Sequence, residues 1–379
     1  MSLTYAMAVI LAPAWAYLLG TAAAAVRFAR CAPPKRADQP PVSLLKPLHG
    51  AEPGLYENLR SFAEQDYPVV QLVLGVTDPN DGALPAAHSL IRDLPDRDIV
   101  LVVDPRVSGG NRKVANLENM LRAARHDILV LADSDMRVDR QYLAAVTAPL
   151  LDPAIGIVTC LYKGVATAGK WAELGALHIN FAFLPSALVA AALGIGRGCF
   201  GATIALRRET LCRIDGFAQM RDALADDQRI GEAVRAQGLA VVLSHYLVEA
   251  RVSEPSFAGL WRHELRWART IRTLAPAGFI GSVLTHAVAI SAVGAAATGF
   301  GLTTWVFLAI SMSLRWASAW VIGAALGLAS GKLWLLPVRD ALDFAVFVAS
   351  FFGRTVFWRD QLFRVEPSGQ MTIDGDQVG

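Results

Sequence analysis

Neither sign of charge predominates: Lys and Arg total 35 against 33 for Asp and Glu, a formal net charge of +2. That balance excludes an overall electrostatic draw toward nucleic acid or an acidic partner, so no nucleic-acid partner is expected and any charge that matters acts locally. Charge of either sign is itself scarce, at 18% of residues against 54% hydrophobic. Soluble domains carry about a quarter charged residues, so part of this chain is expected in lipid. Cysteine is sparse as well: Cys31, Cys160, Cys199 and Cys212 show neither CxxC spacing nor a pairing pattern. This argues against a thiolate zinc site, fits a reducing compartment, and leaves the four as small, buried apolar residues.

What the chain has in quantity is uncharged sequence. Residues 4–26 carry no charge and are followed at once by Arg27, Arg30, Lys35 and Arg36. The run is long enough for a hydrocarbon core of about 30 Å, and the basic flank follows it, which fits an N-out, C-in anchor. In a cleaved signal peptide the basic residues would precede a shorter run. Residues 277–314 are also uncharged, too long for a single span of about 20 residues, so a turn is expected near Gly299 and Gly301. Arg315 then interrupts, residues 316–330 are apolar again, and 344–352 is a shorter candidate after Arg339, Asp340 and Asp343. Two C-terminal spans and an interfacial helix would keep Arg354, Arg359 and Arg364 in the cytoplasm. A third run, 174–196, has span-like hydropathy with His178 and Asn180 as its main polar interruptions.

Between the flanking runs, residues 42–162 alternate short apolar stretches with helix-like ones: VSLLKPL, GLYENLRSFAEQDYP, VQLVLGVTD, ALPAAHSLIRDL, DIVLVVDP, KVANLENMLRAAR, DILVLADSD, IGIVTCLY. This βαβα succession predicts an α/β domain with a mostly parallel sheet and helices on both faces. Ligands bind such sheets at the carboxyl edge of the strands, where this chain places Lys46 with Pro47, Thr77 with Asp78, Asp104, and Asp133 with Asp135. A single aspartate there also serves as a turn or helix cap, the reading favoured for Asp104 before Pro105 and open for Asp78 before Pro79. Two aspartates at i and i+2 repel one another, and a divalent cation relieves that repulsion, with Mg²⁺ or Mn²⁺ held by carboxylates and substrate phosphates. Lys113, after Gly109 and Gly110 at a predicted helix start, faces either a phosphate or solvent. Asp226 and Asp227 open a further helix, favoured by its dipole or serving as a general base. Arg262, Arg266, Arg269 and Arg272 share a helix just before the C-terminal apolar region and are expected beside a membrane surface.

VSLLKPLHG, VTDPND, ADSDMRV, GATIALRRE, LADD and HELRW, in this order, resemble the membrane glycosyltransferases of the ceramide glucosyltransferase type. VVDPRVSGGNRKVANLENML, VTCLYKG and LWRHELRWARTIR resemble most the bacterial hopanoid-biosynthesis members of that group. The resemblance implies an inverting, metal-dependent GT-A fold over residues 42–272, with an anchor at 1–26, a basic linker at 27–41, transmembrane or interfacial helices at 273–353 and a tail at 354–379. It implies that Asp78 contacts the nucleotide, that Asp133 and Asp135 bind the UDP-sugar and its metal, and that Asp227 is the general base beside Asp226. Arg266 would meet the diphosphate and Trp267 pack around sugar or acceptor. His263 stands where the family usually has Gln or Arg, either as a hydrogen-bond donor or as a spacer.

The expected reaction moves a sugar from a UDP-sugar to a lipid hydroxyl. By resemblance it is N-acetylglucosamine to bacteriohopanetetrol in a bacterial inner membrane, with the catalytic domain cytoplasmic, or glucose to ceramide. A processive polysaccharide synthase would need more spans, and a non-enzymatic membrane protein would leave the aspartates as caps. If residues 174–196 crossed the bilayer once, Asp133 and Asp227 would lie on opposite faces. The run is therefore expected to lie in the interface and line the entry of the lipid acceptor.

Overall fold

A computed structural model describes residues 3–31, 38–195, 198–329, 331–353, 355–358, 361–365 and 371–373. Lys35 and Arg36 of the expected basic linker, and Arg354 and Arg359 of the tail, lie outside them. The anticipated strands form as β1 (Val42–Pro47), β2 (Val70–Val76), β3 (Asp98–Val103), β4 (Ile128–Leu131) and β6 (Ile155–Thr159) running on toward β7 (Tyr162–Ala166); the structure adds β5 (Met136–Arg137), β8 (Ile204–Arg207), β9 (Ala240–Leu243) and β10 (Val248–Val252). Seven make one sheet in the order β3-β2-β1-β4-β8-β6-β9. Pairing is parallel from β3 to β4 and between β6 and β9, with β8 antiparallel to both neighbours.

Strand alternation decides what each face packs. Leu44 and Val130 point into one core with Leu59, Phe62, Leu90 and Tyr142 of the helices on that face. Leu45, Leu129 and Leu131 point into the other, with Val114, Leu117, Ile230 and Val234. Because both faces are covered, β1 is buried along its whole length, which is why it reads as a nearly continuous apolar run. The stretch IGIVTCLY forms two strands. It leaves the main sheet at Cys160, and Tyr162 onward joins a second sheet of order β5-β10-β7. Cys160 and Cys199 are buried as expected, whereas Cys31 and Cys212 are exposed.

Gly196 of the apolar run falls outside the described residues, while residues 174–192 lie in one helix, Gly169–Ala192, broken by a single π-helical turn over Ile179–Phe183. Its length and composition alone would let it cross a membrane, as would those of Tyr5–Ala29 and Leu302–Leu326. Both its ends, however, return to the catalytic domain. It begins just after β7, where Asn180 exchanges hydrogen bonds with the Gly164 backbone at 2.8 and 2.9 Å. Gly198, six residues beyond the helix end, accepts at its carbonyl from Arg235 at 3.4 Å.

The helix Leu3–Ala29 packs along Leu302–Leu326 through small polar contacts: Trp15 Nε1 to Ser311 Oγ at 2.7 Å and Thr21 to Ser318 at 2.9 Å. Val9, Ile10, Leu19, Trp305 and Trp320 are exposed, an apolar exterior suited to lipid tails. The expected turn falls at Gly299–Gly301, but Arg315 breaks nothing. It stays inside Leu302–Leu326 because its guanidinium pairs bidentately with Asp340 at 2.9 to 3.0 Å, from the helix Leu336–Ser350. Upstream, Pro276–Thr285 and Ala287–Ala297 meet at a 70° bend. The expected tail forms a small antiparallel sheet of β11 (Thr355–Trp358), β12 (Gln361–Val365, containing Arg364) and β13 (Met371–Ile373).

Candidate active site

The ion pairs around Lys113 join three parts of the chain that are far apart in sequence. Asn111 caps the helix Arg112–Leu121, its Oδ1 accepting from the N–H groups of Lys113 and Val114 at 3.0 and 3.2 Å. Its amide donates to the Ala223 carbonyl at 2.8 Å and to Asp226 at 3.3 Å, which binds this helix start to the LADD segment. Lys113 Nζ then lies 2.7 Å from Asp133 Oδ1 and 3.2 Å from Asp226 Oδ2. Burial alone would discharge the lysine, but Asp133, Asp226 and Asp227 outweigh it and keep the ammonium charged. Asp227 accepts from the N–H of Gly201 at 3.0 Å and from its neighbour Gln228 at 2.8 Å. Burial, then Asp226, pushes it up to about 6, against the pull of Lys113 and those two N–H groups. Gly201 makes this junction possible, since a Cβ there would stand 2.9 Å from Asp133 Oδ2 and 3.2 Å from Lys113 Nζ.

These groups open onto a cavity of about 670 Å³ with two unlike walls. Pro47, Lys113, Asp133, Asp135, Asp226 and Asp227 face it from the sheet edge. Ile179, Phe183, Leu260, Ile271 and Leu274 face it from the apolar-run helix and from the helix Phe257–Leu274. Arg266, Trp267 and His263 line it from that second helix. His263 Nδ1 is 2.6 Å from Glu254 Oε1, and its ring stands edge-on to Trp267 at 4.5 Å. It therefore steadies Glu254 and Trp267. Arg269 and Arg272 donate to the carbonyls of Phe352, Gly353 and Thr355 at 2.5 to 2.9 Å, capping the end of Leu336–Ser350.

Two residues expected at the donor, Lys46 and Asp78, are not among those lining this cavity. Lys46 is fully buried beneath the aspartate loop, donating to the Asp133 carbonyl and standing 3.7 Å over the Phe62 ring. As the apolar β1 strand carries it inward, it shapes the loop and does not reach the cavity. Asp78 is exposed beyond β2, accepting from the Asn80 N–H at 2.8 Å outside the cavity wall. Asp104 is bound by Arg106, the turn role anticipated for it. Sequence reading missed Tyr162, Glu52 and Glu254 at the site, none of which carries a local signal; Asn111, in the stretch expected to face a phosphate together with Lys113, serves as the helix cap.

The residues present fit a hard divalent cation. Burial, with Asp133 and Glu52 adding to it, pushes Asp135 up to about 7, a concentration of negative charge that such an ion relieves. Among the described residues no group of three or more His, Cys, Asp or Glu is arranged to hold a metal alone. Asp133 and Asp135 would hold it jointly with a donor's phosphates.

A doubly covered, mostly parallel sheet with an i, i+2 aspartate pair at its carboxyl edge defines a GT-A glycosyltransferase fold. The mannosyltransferase PcManGT from Pyrobaculum calidifontis, solved in complex with GDP-Man and Mn²⁺, shares it at a TM-score of 0.53 and 20% identity, over 93% of this chain and 99% of that one. The sequence matches glycosyl transferase family 21 over residues 5–371, and the chain belongs to that family, a hexosyltransferase. Ceramide glucosyltransferase 1 of Caenorhabditis elegans is 22% identical over 358 residues, covering 88% of this chain and 73% of the relative. A ceramide glucosyltransferase of Gibberella zeae is 30% identical over 136 residues, 33% of this chain and 26% of its own.

Proposed function

We propose that the chain transfers a sugar from a UDP-sugar to a hydroxyl of a membrane lipid, with the donor on the acidic wall of the cavity and the lipid head on the apolar one. The observation that carries this reading is the junction at Lys113, which puts the two aspartate motifs into one cavity whose opposite wall is lined by apolar residues of two helices. Asp227 takes the acceptor's hydroxyl proton, and the freed oxygen attacks the anomeric carbon. The bond from that carbon to the diphosphate oxygen breaks from the opposite face, so the configuration inverts. Arg266 and Lys113 stabilise negative charge on the leaving UDP. A divalent ion bound at Asp133 and Asp135 would supply further charge neutralisation there. Asp78 meets the nucleotide outside the cavity, along the sheet edge. The apolar-run helix lies at the membrane interface, with both its ends on the cytoplasmic catalytic domain.

Ceramide with UDP-glucose is the pairing that the relatives support. Bacteriohopanetetrol with UDP-N-acetylglucosamine rests on the motif wording alone. Purified protein with either donor, Mn²⁺ or Mg²⁺, and each lipid in detergent micelles tests both. Label entering the lipid phase from one pairing is the expected result, and none entering from any pairing would contradict the reading.

A further inference from the structure

His178 interrupts the apolar run without belonging to any of the sequence motifs. Its neighbour Asn180 is satisfied by the Gly164 backbone, so a local polar requirement explains that residue. The imidazole has different surroundings. His178 Nδ1 lies 2.6 Å from Asp343 Oδ1, and Asp343 Oδ1 also accepts from Arg339 at 2.8 Å. Arg339 is wholly buried and donates to both oxygens of Glu264, at 2.8 and 2.7 Å, and to the Leu174 carbonyl at 3.3 Å. Glu264 lies within HELRW. The chain of contacts therefore runs from the catalytic motif helix through the helix Leu336–Ser350 to an imidazole on the cavity wall.

Burial opposes charge on this ring, but the Asp343 carboxylate against Nδ1 outweighs it and raises the imidazole above its ordinary value, and the protonated ring offers its Nε2–H as a second donor. His178 remains 24% exposed, and Trp267 stands 6.3 Å from its ring, with Ile179, Phe183 and Leu260 around it on the same wall. A fixed donor in an apolar wall recognises one polar group of an otherwise apolar ligand. The π-helical turn begins at the next residue, an irregularity often found at functional sites.

Building on the function proposed above, we propose that His178 Nε2–H donates a hydrogen bond to the oxygen of a second hydroxyl of the lipid head, beside the one that is glycosylated. Asp343 acts as a positioning residue that fixes the ring, and Asp227 remains the base for the reacting hydroxyl. The contact makes His178 a determinant of acceptor specificity: a lipid lacking that hydroxyl is a poor substrate.

The test compares whichever lipid accepts sugar, ceramide or bacteriohopanetetrol, with its analogue lacking one neighbouring hydroxyl, 3-deoxyceramide in the first case. Wild type is expected to favour the complete lipid at least about 10-fold in kcat/KM. His178→Ala is expected to lose that preference while the KM for the UDP-sugar stays unchanged. His178→Gln, which keeps a polar atom near the ε position, restores part of it. Asp343→Asn is expected to fall between wild type and His178→Ala in preference, again with donor KM unchanged. Unaltered discrimination in His178→Ala, or donor and acceptor parameters falling together in both His178 variants, would overturn the assignment while leaving the glycosyltransferase reading in place. If wild type glycosylates neither lipid, that reading falls and the assignment with it.

Discussion

Asp227 has a carboxylate that two backbone N–H groups aim and that burial makes more basic. Its raised value near 6 means that the base is ionised above that pH and lost below it. The acid limb of kcat/KM is therefore expected to bend near pH 6; a profile flat to pH 4.5 would speak against Asp227 as the base. Asp227→Asn is expected to lower kcat by about 10²- to 10⁴-fold with UDP affinity preserved, measured by steady-state kinetics and nucleotide titration. Gly201→Ala tests the packing of the junction, since the added methyl crowds Asp133 and Lys113. Activity is expected to fall at least 10-fold while the unfolding temperature moves by only a few degrees. These roles were only partly legible. Asp133 and Asp135 announce themselves by adjacency, but nothing near Lys113 in sequence shows that Asp226 will come within 3.2 Å of it.

At the scale of elements, periodicity did most of the work, because strands buried on both faces and helices with one apolar stripe leave distinct patterns. It failed where charge is cancelled by a distant partner. Arg315 reads as a break in an apolar run because hydropathy counts its charge without Asp340, which arrives from the next helix. The same blindness hid the Glu264, Arg339, Asp343 and His178 contacts, whose members come from three helices. Removing the arginine alone leaves Glu264 buried without its bidentate partner and Asp343 with His178 alone to balance it. Arg339→Met is therefore expected to destabilise by about 3 to 5 kcal/mol, read by thermal or denaturant unfolding in detergent. Arg229→Ala, which removes an exposed pair with Glu232, is expected to change stability by less than about 0.5 kcal/mol. Equal effects from the two substitutions would refute the structural weight given to the buried network.

For the whole molecule, the consequence of the fold is that an acidic wall built by the sheet edge faces an apolar wall built by two helices, Gly169–Ala192 and Phe257–Leu274. On the function proposed above, a water-soluble donor and a lipid acceptor would meet there without either leaving its own phase. The acidic wall carries a second expectation. Chelation by EDTA is expected to abolish transfer, Mn²⁺ or Mg²⁺ to restore it, and Asp135→Ala to remain inactive after metal is returned, as followed by label incorporation. Full activity in EDTA would contradict the role given to the aspartate pair. The central claim, that Asp227 and the aspartate pair act across one cavity in a single displacement, is tested most directly by the anomeric proton coupling of the purified glycolipid in NMR. A β-linked product from the α-linked UDP-sugar is the result expected. An α-linked product would contradict it.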